Sequence, residues 1–368
     1  MQNDVKIFNL LPDMIQDLRL TDFRNHKTSH LNIRGKKNII ITGPNGAGKT
    51  AIIEAVSMLS GERGMRGAPM CDIARFDGNG GFSVFATLDN DDEVCVYFNQ
   101  NDSNRHARVN GDGTPLSDLA KHMRIVWVTP REDRIFVDNA TDRRAFFDRM
   151  AAGFDSAHSG RVARHNKLMS ERAGALKTGA NSKWIDALDA QIAATAVAIA
   201  AARIQYAGEV NYFLSDVATS VDGMVESMIM KTNAATAERN YLDYLKSNRS
   251  LTNDKMVLDG VNKSDFGVFN HALNLPAHLT STGQQKTTLL DLVLAHAKLI
   301  HTKTNSTPIV LLDEAAAHLD NDARKRLFTE LGNASAQVWA TGIDDAIFKN
   351  VPNATFVACA NGEISNIL

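Results

Sequence analysis

The octapeptide Gly43-Pro44-Asn45-Gly46-Ala47-Gly48-Lys49-Thr50 constrains what this chain can fold into more than any other feature. It fits G-x-x-x-x-G-K-[ST] at every fixed position. The run Asn38-Ile39-Ile40-Ile41-Thr42 reads as a strand before it, and Ile52, Ile53, Ala55, Val56 and Leu59 read as an apolar helix after it. Glycines let successive backbone N–H groups wrap phosphate oxygens without Cβ clashes, and the helix N-terminus beneath favours negative charge. In such a loop the lysine meets the β/γ-phosphates and the hydroxyl meets Mg²⁺. All eight residues are therefore candidate nucleotide ligands, Lys49 being also catalytic and Thr50 also a metal ligand. A strand that feeds a phosphate loop and a helix belongs to an α/β fold.

A second element stands far downstream. Pro308-Ile309-Val310-Leu311-Leu312 is apolar throughout, as expected of a parallel strand buried on both faces, and it delivers Asp313 and Glu314 at its C-terminal end. Ligands of open α/β sheets bind at that end. Asp313 suits the fixing of Mg²⁺, and Glu314 suits the general base that takes a proton from attacking water. The same acids are also good caps for the next helix. Asp313 follows Lys49 by 264 residues, far more than a simple P-loop kinase or GTPase allows, so something large is inserted.

Leu279-Thr280-Ser281-Thr282-Gly283-Gln284-Gln285-Lys286 lies about 30 residues before the acids and opens an apolar helix, Leu289 to Ile300. Ser281 and Gln284 satisfy a capping box. The run also resembles the ABC signature, which presents a serine hydroxyl and a glycine N–H to the γ-phosphate held by a second subunit. Ala317-His318-Leu319-Asp320 resembles a D-loop. Four such motifs in order imply an ABC-type ATPase that uses ATP and Mg²⁺, with Ser281, Gly283 and Gln284 acting on the partner's ATP. Three positions depart from that pattern. Thr341-Gly342-Ile343-Asp344 stands where a switch histidine is expected, no glutamine marks a Q-loop between Arg124 and Arg134, and Ala317 replaces the usual serine. These losses fit slow hydrolysis suited to a switch.

Several further blocks resemble the RecF family of bacterial recombination mediators. They are Leu20-Thr21-Asp22-Phe23-Arg24-Asn25-His26, Leu59-Ser60-Gly61-Glu62-Arg63-Gly64-Met65-Arg66, Thr129-Pro130-Arg131-Glu132-Asp133, Asp142-Arg143-Arg144-Ala145-Phe146-Phe147-Asp148 and Arg164-His165-Asn166-Lys167-Leu168. The Ser-Thr-Gly-Gln-Gln-Lys signature is typical of the same family. The resemblance implies an SMC-like ABC head, discontinuous in sequence, with an inserted α-helical, short coiled-coil-like arm. It implies ATP-driven homodimerisation, binding to double-stranded DNA and single-strand/double-strand junctions, and work with RecR and RecO to place RecA on gaps. It also implies that Arg24 and Asn25 contact the nucleotide.

Segment patterning suggests a head in two pieces, 1–150 and 251–368, around a helical zone, 151–250. In that zone Ile185, Leu188, Ile192, Ile199 and Tyr206 partly follow a heptad, which fits either an antiparallel helical domain or a protruding arm of about 50 Å. Charge is uneven: Arg143 to Lys183 holds nine Lys/Arg against three acids, and Trp184 to Met230 one against six. Arg161, Arg164, Lys167, Arg172, Lys177 and Lys183 are the candidate DNA contacts, backbone-directed because no aromatic stripe accompanies them. A solvated basic face with no partner is the plainer alternative.

Net charge is −2, so no global basic field marks the 368-residue chain as a whole. Three scattered cysteines make no disulfide framework or paired zinc motif, and no apolar run reaches the ~20 residues of a membrane span. The N-terminal MQNDVKIFNLLPDM does not read as a secretory signal. A cytoplasmic protein without a membrane partner is expected. A transporter's nucleotide-binding subunit, another SMC-like head and a non-hydrolysing scaffold are the competing readings. The basic helical insertion argues against the first, and the intact Lys49, Asp313 and Glu314 set against the last.

Overall fold

A computed structural model describes residues 14–222, 233–250, 258–316 and 319–367. The opening stretch 1–13, the part of the acidic zone at 223–232, and Ala317 and His318 of the D-loop-like run lie outside the described residues.

The chain begins with strands β1 (Ile15–Phe23), β2 (His26–Asn32) and β3 (Asn38–Thr42), then helix α1 (Lys49–Met58) and the single turn α2 (Met70–Ile73). Strands β4 (Phe82–Leu88), β5 (Glu93–Phe98), β6 (His106–Val109), β7 (Asp112–Thr114) and β8 (Arg124–Val128) follow. Helices α3 (Ala140–Phe154), α4 (His158–Lys177) and α5 (Ser182–Leu214) come next, then β9 (Thr219–Asp222), α6 (Ala234–Ser247), β10 (Gly267–Asn270) and β11 (Leu275–Pro276). Helix α7 (Thr282–Thr304), β12 (Pro308–Leu312), α8 (Asn321–Asn333), β13 (Gln337–Gly342), β14 (Ala354–Ala360) and β15 (Glu363–Ile367) complete it.

Two compact units result, Met1–Asp133 with His296–Leu368, and Arg134–Ala295. The cuts suggested near 150 and 250 are not where these units divide. Residue 150 sits inside α3, whose Phe147 packs on Tyr206 and Phe266 of the second unit, and the signature run also falls in that unit.

The first unit holds two sheets. One has the order β15-β14-β3-β13-β12-β8, parallel throughout except at β14–β15. Strands β3, β12 and β13 are buried at every position, which is why β12 and the centres of β3 and β13 read as apolar runs, with Asn38, Thr42, Gln337 and Thr341 at or near the ends of the latter two. The other, β2-β1-β4-β5-β6-β7, is antiparallel and alternates buried with half-buried or exposed residues. Its inner face (Leu18, Leu20, Val84, Val96) packs with Ile52, Ile53 and Val56 of α1 in one core that also takes Ile39, Leu311 and Trp339. Helix α1 is covered on nearly all sides, so it lacks a polar face.

In the second unit, α4 and α5 form a hairpin through 178–181, and α6 packs on α5. Ile185, Leu188, Ile192 and Ile199 of α5 join Leu168, Tyr241 and Leu245 in its core. Helix α5, with its 33 residues, is about 50 Å long. Together with the turn after it, α5 is long and apolar enough to cross a membrane by length and composition, which the count of uninterrupted apolar residues did not register. Half of its most apolar stretch is instead buried in the protein. The short strand β9 interrupts the zone expected to be helical. The Asp142–Asp148 block holds this unit together. Arg143 pairs bidentately with Asp265 (2.9 and 2.6 Å), Arg144 donates to Ser264 O, and Asp148 accepts from Arg203 (2.8 and 2.7 Å) and meets His158 Nε2 (2.8 Å).

Candidate nucleotide and catalytic site

Strand order determines what meets at the site. Strand β13 lies between β3 and β12, so the phosphate loop, Thr341 and Asp313 sit at three adjoining C-terminal strand ends. The loop leaves β3 at Gly43 (φ 149), where a Cβ would stand 2.1 Å from Cys359 O, and enters α1 at Gly48 (φ 111), where a Cβ would stand 2.7 Å from His26 Nε2. Only glycine fits either place. The loop is braced from three sides. Asn25 Nδ2 donates to Ala47 O (3.2 Å), Gly362 N donates to the same carbonyl (2.9 Å), and His26 Nε2 is 3.1 Å from Gly48 O. Burial pushes the His26 imidazole below its ordinary pKa. The buried Lys49 ammonium donates to Gly43 O (2.8 Å) and Pro44 O (2.9 Å).

The acids stand opposite. Thr50 Oγ1 donates to Asp313 Oδ1 at 3.1 Å, and Thr341 Oγ1 donates to the same oxygen at 2.8 Å. The Thr341 hydroxyl also accepts the Glu314 N–H at 2.8 Å. Glu314 is held at φ 57, a conformation unfavourable for any residue with a Cβ. Burial pushes the Asp313 carboxyl above its usual range, against the hydrogen bonds from Thr341 and Thr50. Thr50 and Asp313 offer adjacent hard oxygens, the donor set a magnesium ion takes when phosphates and water complete its shell.

Two cavities meet here. One of about 730 Å³ is lined by the loop, Arg24, Asn25, Arg66, residues 74–77 and Glu314. A second of about 390 Å³ is lined by Thr50, Arg66, Thr129, Pro130, Arg131, Asp313 and Glu314. Asn45, Gly46, Gly48, Lys49 and Thr50 all face the first, and Ala47 is buried behind it.

Some expected residues are otherwise engaged. Arg24 lines the cavity, but its guanidinium is fastened to the buried Glu54 (2.9 and 2.6 Å) and to Asp72 O (2.7 Å). Arg66 is more open, its side chain about half exposed and 3.7 Å from Glu54. Among the candidate DNA contacts, Arg172 is corrected outright: it is 4% exposed and bonded to Asp189 (2.5 Å) and Leu245 O. An acid and a carbonyl in the helical core claim it, so no phosphate reaches it. Arg161 pairs with Asp155, and Arg164 donates to Gln191. Lys167, Lys177 and Lys183 are exposed, the last two flanking the α4–α5 turn.

Ser281 and Gln284 form the capping box: Ser281 N and Oγ donate to Gln284 Oε1 (2.9 and 3.0 Å), and Gln284 N donates back (3.4 Å). Ser281, Gly283 and Gln284 are nevertheless exposed. Asp320 caps α8 through Ala323 N (2.8 Å). Sequence reading passed over Thr341, counting it only as a missing histidine, and over His26 and Arg66 as individuals. A hydroxyl at the end of an apolar strand after the paired acids was the available signal.

Comparison with known proteins gives the family and the fold. A family profile described as RecF/RecN/SMC N terminal domain matches residues 14–366. The DNA replication and repair protein RecF of Brucella suis biovar 1 (strain 1330) is 36% identical over 375 residues, covering 96% of each chain. That of Mesorhizobium japonicum is 34% identical over 368 residues, covering 95% of this chain and 97% of its own. A solved structure of the recombination mediator protein RecF with ATP superposes with TM-score 0.82 at 20% identity, covering 96% of this chain and 99% of its own. The Smc head domain with an extended coiled coil from Pyrococcus furiosus gives TM-score 0.52 at 16% identity, covering 96% and 95%. The fold is that of an SMC-type ABC ATPase head.

Proposed function

The chain belongs to the RecF family, and on that premise we propose that it is an ATP-dependent DNA-binding recombination mediator acting in DNA repair and replication. The observation that carries the reading is the convergence of Lys49, Thr50, Asp313 and Glu314 at adjoining strand ends, where Thr50 and Glu314 line both cavities and Thr50 bonds to Asp313.

In this reading the Lys49 ammonium exchanges the Gly43 and Pro44 carbonyls for the β/γ-phosphates, while the loop N–H groups hold their oxygens. Thr50 and Asp313 hold Mg²⁺, which would neutralise phosphate charge when bound. Glu314 accepts the proton of the attacking water. Thr341 keeps the Glu314 backbone in its strained conformation and orients Asp313. Arg66 supplies positive charge above the γ-phosphate end. Two copies close around two nucleotides, with Ser281, Gly283 and Gln284 of each completing the other's site. The closed dimer holds duplex DNA or a junction through Lys167, Lys177 and Lys183, with Arg161 and Arg164 beside them. Hydrolysis is slow and releases DNA. RecR, RecO and RecA are the partners the family implies, and the cytoplasm is where it would act.

Filter binding of a gapped duplex tests the reading. ATP with Mg²⁺ should strengthen retention at least about tenfold, and Lys49→Ala should remove that gain while leaving ATP-independent binding. Retention indifferent to ATP would defeat the proposal.

A further inference from the structure

Phe76 is fully exposed, yet it is not on a loose loop. The turn that carries it is tied to the end of β1 by main-chain bonds, Arg24 N to Ile73 O (2.7 Å) and Arg75 N to Asp22 O (2.8 Å). Arg75 adds two ion pairs, with Asp22 (3.0 Å) and Asp77 (2.8 Å), and Gly78 N closes the turn onto Arg75 O (3.1 Å). An aromatic ring thus stands in water on a rigid support.

Its place in the cavity gives that ring a use. The larger cavity runs from the phosphate loop to Ala74, Arg75, Phe76 and Asp77. The smaller one holds Thr50, Asp313 and Thr129, and residues 74–77 line only the larger. The two ends of the site therefore differ: Asp313 and Thr129 line only one, the fixed aromatic ring lines only the other, and Thr50 and Glu314 lie between them. A nucleotide with its phosphates on the loop and its metal ion at Thr50 and Asp313 would place its base at the end away from Asp313.

We propose that Phe76 is the base-stacking residue of the nucleotide site, a role that rests on the ATP reading above. Stacking on a π-face is tolerant of base identity, so Phe76 contributes affinity for the base and little choice between purines. Its rigid turn lowers the ordering cost on binding.

The test compares Mg²⁺-dependent binding of ATP, GTP and inorganic tripolyphosphate to the full chain. Phe76→Ala should weaken ATP and GTP about tenfold, the size of one lost stacking contact, and leave tripolyphosphate within about twofold. Phe76→Trp should keep ATP affinity, with fluorescence quenched by ATP and not by tripolyphosphate. Equal weakening of all three ligands, or unchanged ATP affinity in Phe76→Ala, would overturn the assignment. Normal ATP affinity with lost ATP-driven pairing of two copies would overturn it too, and give the ring to the interface. Lys49→Ala separates the two readings: if it binds tripolyphosphate as wild type does, the phosphate-loop reading fails and the stacking proposal falls with it.

Discussion

The Thr341 hydroxyl stands between the Glu314 main chain and the Asp313 carboxylate, 2.8 Å from each. One buried side chain thereby fixes both acids. Thr341→Val removes the donor and the acceptor at nearly constant volume. Because a small misplacement of reacting groups is costly, kcat for ATP should fall by roughly tenfold or more. ATP affinity should stay within about threefold, and Thr341→Ser should restore turnover. Steady-state kinetics beside equilibrium binding reads the split. Equal loss in the Val and Ser variants would refute the positioning role.

Ser281 serves its own helix as a cap and, in the proposed dimer, the partner's nucleotide. Ser281→Arg should leave ATP binding to the monomer intact and block ATP-dependent pairing, because a bulky cation would project where the partner docks. Light scattering with ATP should report a monomer. Pairing as strong as wild type would reduce Ser281 to the cap alone.

The basic zone separates into two kinds of residue. Arg172 is buried against Asp189, so Arg172→Ala should destabilise the helical unit by about 3 kcal/mol, the cost of breaking a buried pair. Lys177→Glu with Lys183→Glu should leave Tm unchanged, weaken DNA binding, and lower the salt slope by about one per residue. Thermal melts and salt titrations distinguish them. An unchanged slope would acquit the α4–α5 turn of DNA contact.

Much of the site was legible before the fold was known, because its chemistry is written in contiguous motifs. Gly43 to Thr50 and Pro308 to Glu314 each combine a strand with its catalytic end, so spacing alone identified them. Thr341 was not legible as a participant, since its role depends on β13 lying between β3 and β12, a fact of strand order. Arg172 misled for a related reason. Its partner Asp189 lies on the next helix, so local charge density made it look solvated. Arg24 lines the cavity where a nucleotide contact is expected of it, and Glu54 of α1 holds its guanidinium there, a pairing that local sequence does not show.

His165 is buried in the helical unit, its Nδ1 2.9 Å from Thr195 Oγ1 and its Nε2 without a partner. Burial, with a smaller push from Arg203, lowers its pKa from 6.5 to about 4. The unfolded chain therefore binds this proton at higher pH than the folded chain does. Stability from this group is complete above pH 6.5 and declines as pH falls toward 4, by up to about 3 kcal/mol. Urea unfolding at pH 7 and pH 4.5 should show the decline, and His165→Gln should remove that share of it. A His165→Gln curve parallel to wild type would contradict the assignment.

In the proposed cycle ATP hydrolysis at Glu314 releases DNA. Glu314→Gln keeps size and hydrogen bonding but cannot take a proton from water. Single-turnover hydrolysis should fall by about 10²-fold or more, and ATP binding should survive because Lys49, Thr50 and Asp313 are untouched. The deciding measurement is the dissociation of a labelled gapped duplex from the Glu314→Gln protein with ATP and Mg²⁺, followed beside its single-turnover ATPase. Slowed hydrolysis together with a DNA complex that outlives the wild-type one is the expected result. Slowed hydrolysis with an unchanged DNA lifetime would contradict it.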